Sequence, residues 1–128
     1  MKLLLDTHAF AWWLLEDVQM SETARSHIAD PKNRIFVSAA SAFEMAIKHR
    51  LGKWQSIERF LPEFASTVSS EGFEALNVTI VHAIKAGSLN GSHADPFDRL
   101  LAAQAIEEDC RLVSSDAAMR GLGVKVVW

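Results

Sequence analysis

Three short apolar runs dominate the chain, and each stops at a polar residue able to open a helix. Leu3-Leu4-Leu5 ends in Asp6-Thr7, Ile35-Phe36-Val37 ends in Ser38, and Leu112-Val113-Ser114 ends in Ser115-Asp116. Runs this short are far below the length that spans a bilayer or serves as a secretory core. They read instead as strands buried on both faces, which is the pattern of a parallel sheet covered by helices. The chain has 128 residues, about half of them apolar, enough for one domain over residues 1–128 with a real core. The expected architecture is a three-layer α/β/α fold around a parallel sheet of about five strands.

In chain order, strands are expected over residues 2–5, 34–37, 73–78, 111–114 and 123–127. Thr7 is expected to cap a helix through Phe10, Trp12, Trp13 and Leu14, and Ser21 to open a second one ending near Asp30-Pro31. Trp12 and Trp13 are adjacent on a short helix, so they face different surroundings: one exposed or covered by a partner, or both packed on opposite sides. Ser38 to Leu51 forms a helix closed by Gly52, with Phe43, Ile47 and Leu51 as its core stripe. Ile57, Phe60, Leu61, Phe64 and Val68 predict an amphipathic helix, and Thr79 to Gly87 a shorter one. The polar loop Ser88 to Ala94 leads into a helix over 95–109, opened by Asp95-Pro96.

Acids recur at the helix starts. In open parallel sheets, ligands bind beyond the carboxyl ends of the strands. Asp6 and Asp116 lie on that edge, and Asp98 reaches it if its helix starts on the same side. Each acid also has an ordinary explanation. Asp95 is a good N-cap, and Asp98 sits in the first turn, where the helix dipole favours an anion. Glu44 has capping-box spacing from Ser41 if the helix starts there; if it starts at Ser38, Glu44 is well inside, stacked with Lys48 at i, i+4. Gathered in one place, these carboxylates repel unless a cation sits among them. Mg²⁺ and Mn²⁺ favour such oxygen donors, with waters and phosphate oxygens completing the shell. Zinc is not indicated, because His8, His27, His49, His82 and His93 lack paired ligand spacing. His93, in the loop before Asp95, is a candidate neighbour of the site.

Charge and cysteine content narrow the class. The net charge of −3 gives no global basic field of the kind common in nucleic-acid binders. Lys48, Arg50 and Lys53 nevertheless form a local basic cluster, with Trp54 available to stack on an unpaired base. Arg99 is placed to contact a phosphate or to steady Asp98. The lone Cys110 forms no internal disulfide, and a small buried residue in a reducing, cytoplasmic setting is expected.

Four segments together carry a resemblance. Met1 to Ala9 (MKLLLDTHA), Val37 to Lys48 (VSAASAFEMAIK), Asp95 to Ala105 and Ser114-Ser115-Asp116 resemble, in order, the signature segments of PIN-domain ribonucleases, and among these the VapC-like toxins of type II toxin–antitoxin modules. The resemblance runs from the first strand to Val126-Val127-Trp128. It implies an Mg²⁺- or Mn²⁺-dependent endoribonuclease whose acidic metal positions fall on Asp6, Glu44, Asp98 and Asp116. Asp95 is implied as a cap or outer-shell water ligand, and Thr7 and Ser115 as polar neighbours that orient carboxylates or water. It further implies a homodimer held by a cognate antitoxin whose C-terminal segment covers the acidic cleft. A receiver domain fits less well: it needs an acidic pair after the first strand, where Thr7-His8 follows Asp6. A dehalogenase-type phosphatase needs an Asp where His8 stands. A PIN-like module that binds RNA or a partner without cutting is the remaining alternative.

Overall fold

A computed structural model describes all residues, Met1–Trp128. Five parallel strands form one sheet: β1 (Lys2–Leu5), β2 (Arg34–Ser38), β3 (Glu74–Leu76), β4 (Arg111–Val113) and β5 (Val126–Val127). Their spatial order is β3-β2-β1-β4-β5. The helices are α1 (Thr7–Leu15), α2 (Glu22–Ala29), α3 (Ala39–Arg50), α4 (Phe64–Ser70), α5 (Ile80–Ser88) and α6 (Pro96–Glu107), with 3₁₀ turns over Gln55–Phe60 and Ala117–Leu122.

Strand periodicity divides the core into two layers. Leu3, Leu5, Ile35, Val37 and Val113 pack with Phe10 and Ala11 of α1, Ala24 and Ile28 of α2, and Val68 of α4. Leu4, Phe36 and Leu112 point the opposite way, onto Leu101, Ala102 and Ala105 of α6 and onto Met119 and Leu122. Successive side chains on a strand face opposite sides, so covering both faces turns β1 into an unbroken leucine run. This is the α/β/α arrangement expected from the sequence, with α5 packed against α6 as part of the second layer.

Several local expectations are corrected. Asp6, not Thr7, caps α1, and Thr7 is the first helical residue. Ser38 caps α3, which puts Glu44 inside the helix and removes the capping box with Ser41. The stripe of α3 is also rotated from expectation: Ala40, Ser41, Glu44 and Met45 are buried, while Phe43 is 61% exposed and Leu51 is exposed. On that buried side Met45 packs into the core, while Glu44 lines a polar pocket. The expected helix through residues 57–68 is broken into the Gln55–Phe60 turn and α4. Pro62 lies between them and has no N–H to continue a helical ladder. Trp12 and Trp13 are both half-buried, and both pack against the same core layer. Trp12 packs near Trp128, while Trp13 packs near Phe73 and donates its indole N–H to Glu71 at 2.7 Å.

One buried polar side chain ties the second layer to the strand ends. The Gln104 amide, midway along α6, accepts from the Ser38 hydroxyl and donates to the Asn77 carbonyl at 3.2 Å. Leucine at Gln104 keeps the bulk but strands both partners. Gln104→Leu is expected to cost about 1–3 kcal/mol of unfolding free energy, measured by denaturant titration against wild type.

Candidate functional site

The strand order places β1 beside β4, and the connections diverge to opposite sides of the sheet at that junction. This is a topological switch point, where open α/β sheets leave a crevice at the carboxyl edge. The Asp6 amide donates to the Val113 carbonyl at 3.0 Å, which fixes the end of β1 against the end of β4.

Four elements then each deliver an acid. Asp6 caps α1, its Oδ1 accepting from the Ala9 amide at 2.8 Å. Asp116 caps the turn after β4, its Oδ1 accepting from Ala118 at 2.9 Å. Asp95 caps α6 by accepting from the amides of Phe97 and Asp98, and Asp98 follows in the first turn. Glu44 enters from α3 and is only 5% exposed, its Oε2 accepting from Lys48 Nζ at 2.7 Å. Asp6, Glu44, Asp95, Asp98 and Asp116 line one pocket of about 330 Å³ with Ser115, His8, Trp12 and Lys48. A larger cavity of about 560 Å³ opens at the other end of the sheet, beside Lys2, Cys110 and Arg111, and none of these five acids lines it.

The electrostatics of the pocket are those of crowded anions. Burial pushes the Asp6 carboxyl up to about 6; the Ser114 hydroxyl and the Ala9 amide oppose this, and Asp98 and Glu44 add to it. Asp98 is also raised, by burial first and then by Asp95, against a hydrogen bond from His93. His8 is lowered by burial and by Lys48. Capping uses the Oδ1 atoms of Asp6, Asp95 and Asp116 and leaves each Oδ2 outside those contacts. The donor set is hard and oxygen-rich, which suits a divalent cation of the Mg²⁺ type. Single ligand atoms of His93, Asp98 and Asp116 lie within 4.8 Å of one another, a spacing that one ion can bridge.

Other expected residues fall into distinct places. Ser115 lines the pocket. Thr7 is buried and donates its hydroxyl to Ser41 at 3.0 Å, joining α1 to α3 beneath the pocket. Lys53 lies in an adjoining hollow with Trp54, and Arg50 is exposed at the end of α3, outside both linings. Arg99 departs most from its expected role as an RNA contact. Its guanidinium donates to the carbonyls of Ala86, Leu89 and His93, so it is committed to the loop before α6. Gly91 completes that loop with φ +117°, and a Cβ there would meet the Gly121 carbonyl at 3.0 Å. The loop thereby sets His93 Nε2 2.7 Å from Asp98 Oδ2.

Two contributors were not singled out from sequence. Ser114 accepts from the Asp116 amide at 3.1 Å and steadies Asp6, linking two of the acids. His8 lies one helical residue past Thr7 and faces the pocket. The signal for Ser114 was its place between a strand end and an acid; for His8 no pattern in the sequence distinguishes it.

The PIN domain profile matches residues 3–125. The chain belongs to the PIN-domain family. Within that family it is 33% identical over 119 residues to ribonuclease VapC22 of Mycobacterium tuberculosis, covering 91% of this chain and 88% of that protein. Among solved structures, this PIN domain is similar to VapBC2 of Rickettsia felis bound to a DNA fragment from its promoter, with a TM-score of 0.71, 17% identity and coverage of 98% and 97%. It is also similar to FitAcB of Neisseria gonorrhoeae, with a TM-score of 0.66, 18% identity and coverage of 97% and 95%. These structural likenesses concern the fold.

The raised Asp6 carboxyl gives a stability test with a definite sign. A proton held at about 6 in the folded state, against an ordinary value of 3.8, stabilises the fold fully below the lower value and is lost as pH rises through the upper one. In chelator, wild type should therefore lose stability relative to Asp6→Asn between about pH 4 and pH 7, by up to a few kcal/mol. Added Mn²⁺ should raise the melting temperature of wild type at pH 7 and leave Asp6→Asn nearly unmoved. Thermal melts across pH, with and without Mn²⁺, read both effects.

Proposed function

We propose that this PIN domain, acting as a single unit over residues 1–128, is the toxin of a toxin–antitoxin pair and a metal-dependent endoribonuclease that hydrolyses phosphodiester bonds in RNA. The observation that carries the reading is the convergence of Asp6, Glu44, Asp98 and Asp116 on one pocket at the switch point of the sheet. The likeness to a protein named ribonuclease VapC22 over most of both chains supports the reaction class.

In this reading Asp6, Asp98, Asp116 and Glu44 would hold Mg²⁺ or Mn²⁺, with His93 against Asp98 and with Asp95 and Ser115 beside them as orienting neighbours. The bound ion supplies positive charge to the phosphate and acidifies a coordinated water. The chain's own residues do the remaining work. Asp6 is fixed through Oδ1 by the Ala9 amide at its cap, which would leave its second oxygen for the ion. Glu44 is held by Lys48, whose ammonium is also placed for a non-bridging phosphate oxygen. The N-termini of α1 and α6 point into the pocket and stabilise anions there. With the ion bound, the chemistry supplied would be hydrolysis: water would attack phosphorus, and the departing ribose oxygen would take its proton from solvent.

The partners follow from the same reading. The structures of VapBC-1 of Haemophilus influenzae and VapBC2 of Rickettsia felis resemble this chain along nearly its whole length. A cognate antitoxin covering the acidic cleft and a homodimeric assembly fit that likeness. Ile80, Val81 and Ile84 on the exposed face of α5 supply apolar area for the dimer. No helix is long and apolar enough to cross a membrane, and the proposed site of action is the cytoplasm, on cellular RNA.

Antitoxin-free protein incubated with total cellular RNA and Mg²⁺ should yield discrete ends on mapping. Asp6→Asn should lose more than the ~100-fold that removal of an outer-shell partner costs, while keeping the wild-type circular dichroism. Ser114→Ala, which removes a positioning hydroxyl, should fall within ~10–100-fold and retain cleavage at the same ends. Chelator should stop cleavage and Mn²⁺ restore it. Equal cleavage by wild type and Asp6→Asn, or indifference to chelator, would contradict the proposal.

A further inference from the structure

Beside the acidic pocket lies a second hollow, which none of its five acids lines. It measures about 440 Å³ and is lined by His8, Trp12, Gln19, Lys48, Lys53 and Trp54. His8, Trp12 and Lys48 line both hollows, so the two adjoin. The His8 imidazole stacks on the Trp54 indole with centroids 4.8 Å apart and planes at 27°, and it lies 5.5 Å from Trp12 at 53°. Lys48 Nζ stands 5.6 Å from the Trp54 ring centre while holding Glu44. α1 supplies His8 and Trp12, and the turn after α3 supplies Lys53 and Trp54. A core contact between these segments would have closed over the rings. Here His8 and Lys53 are exposed, and Trp12 and Trp54 are only half-buried.

We propose that this shelf is a nucleobase subsite: it takes the unpaired base of a nucleotide flanking the phosphate cut in the acidic pocket. The inference rests on the nuclease reading above and adds to it where the substrate must be single-stranded. Aromatic faces bind any base by stacking, and flanking ammonium groups follow the backbone. Two indoles and an imidazole provide the faces, Lys53 lies where the backbone leaves, and the Gln19 amide offers both a donor and an acceptor to a base edge. The lining contains no aliphatic side chain, so a leucine-rich partner helix finds little to bury there. A base inside a duplex has both faces covered by its neighbours and cannot enter. Cutting is therefore directed to loops, bulges or unpaired ends.

The test uses a short oligoribonucleotide spanning the mapped cut, the same strand with an abasic residue on either side of the cut, and its duplex. Wild type should cleave the single strand, and one of the two abasic strands should raise KM at least ~5-fold with kcat nearly constant. Trp54→Ala should raise KM for the intact strand by a similar factor and no longer distinguish the abasic one. Trp54→Phe should restore the distinction, and Lys53→Gln should weaken binding and its salt dependence. Quenching of tryptophan fluorescence in Asp6→Asn, by the intact strand and not by the abasic one, reads the same contact without cleavage and guards against a misfolded Trp54→Ala. Wild-type KM in both Trp54→Ala and His8→Ala, or equal cleavage of the duplex, would overturn the subsite while leaving the nuclease reading in place. Shelf variants that keep wild-type KM but no longer bind the antitoxin would assign the surface to the protein partner and overturn it likewise. Loss of the nuclease reading is recognised separately, by equal activity of wild type and Asp6→Asn.

Discussion

The molecule is organised around a carboxylate that it can barely keep charged. Asp6 ends a fully buried leucine strand, so its backbone has no freedom to move away, and its side chain must enter the crevice where β1 and β4 part. Burial alone opposes its ionisation, and Asp98 and Glu44 deepen the conflict. The fold answers with what lies at hand: the amide of Ala9 at the start of α1 and the Ser114 hydroxyl. These hold the carboxylate in place, and the remaining negative charge meets only Lys48 at Glu44 and His93 at Asp98. Such an arrangement is costly for a structural motif and well suited to a pocket that takes a cation.

The helix caps show why an ordinary explanation and a functional one need not compete. Asp6, Asp95 and Asp116 each satisfy orphan amides at the start of a helix or turn, as short acidic side chains commonly do. Each uses Oδ1 to do so. The cap then acts as the clamp that orients the second oxygen. The same holds for Glu44 and Lys48, whose i, i+4 pairing resembles a surface ion pair of small worth. Burial of Glu44 at the pocket wall changes its meaning, because the lysine is now the partner of an interior carboxylate.

Much of this was legible in the sequence, and the reasons are local. Strand-ending acids and caps are encoded within a few residues, so Asp6, Asp95, Asp98 and Asp116 could be read directly and their common edge followed from parallel topology. The rotation of α3 could not be read, because Phe43 and Ile47 have the spacing of a core stripe. In the folded molecule Phe43 turns outward, and its ring meets that of Phe97 at 5.6 Å. Arg99 was equally opaque: a guanidinium beside an acid suggests a phosphate contact, yet its partners are carbonyls of α5 and of the loop that follows it. The break near Pro62 was present in the sequence and was outweighed by apolar spacing on either side. His8 and Trp54 lie far apart in the chain, and their stacking exists only in the folded molecule.

Anomalous diffraction from crystals grown with Mn²⁺ and without antitoxin probes the central claim most directly. The account predicts a peak inside the acidic pocket, with carboxylate oxygens of Asp6 and Asp98 or Asp116 at about 2.1 Å. A peak confined to other surfaces, or full Mn²⁺ loading that leaves these side chains uncoordinated, would contradict it.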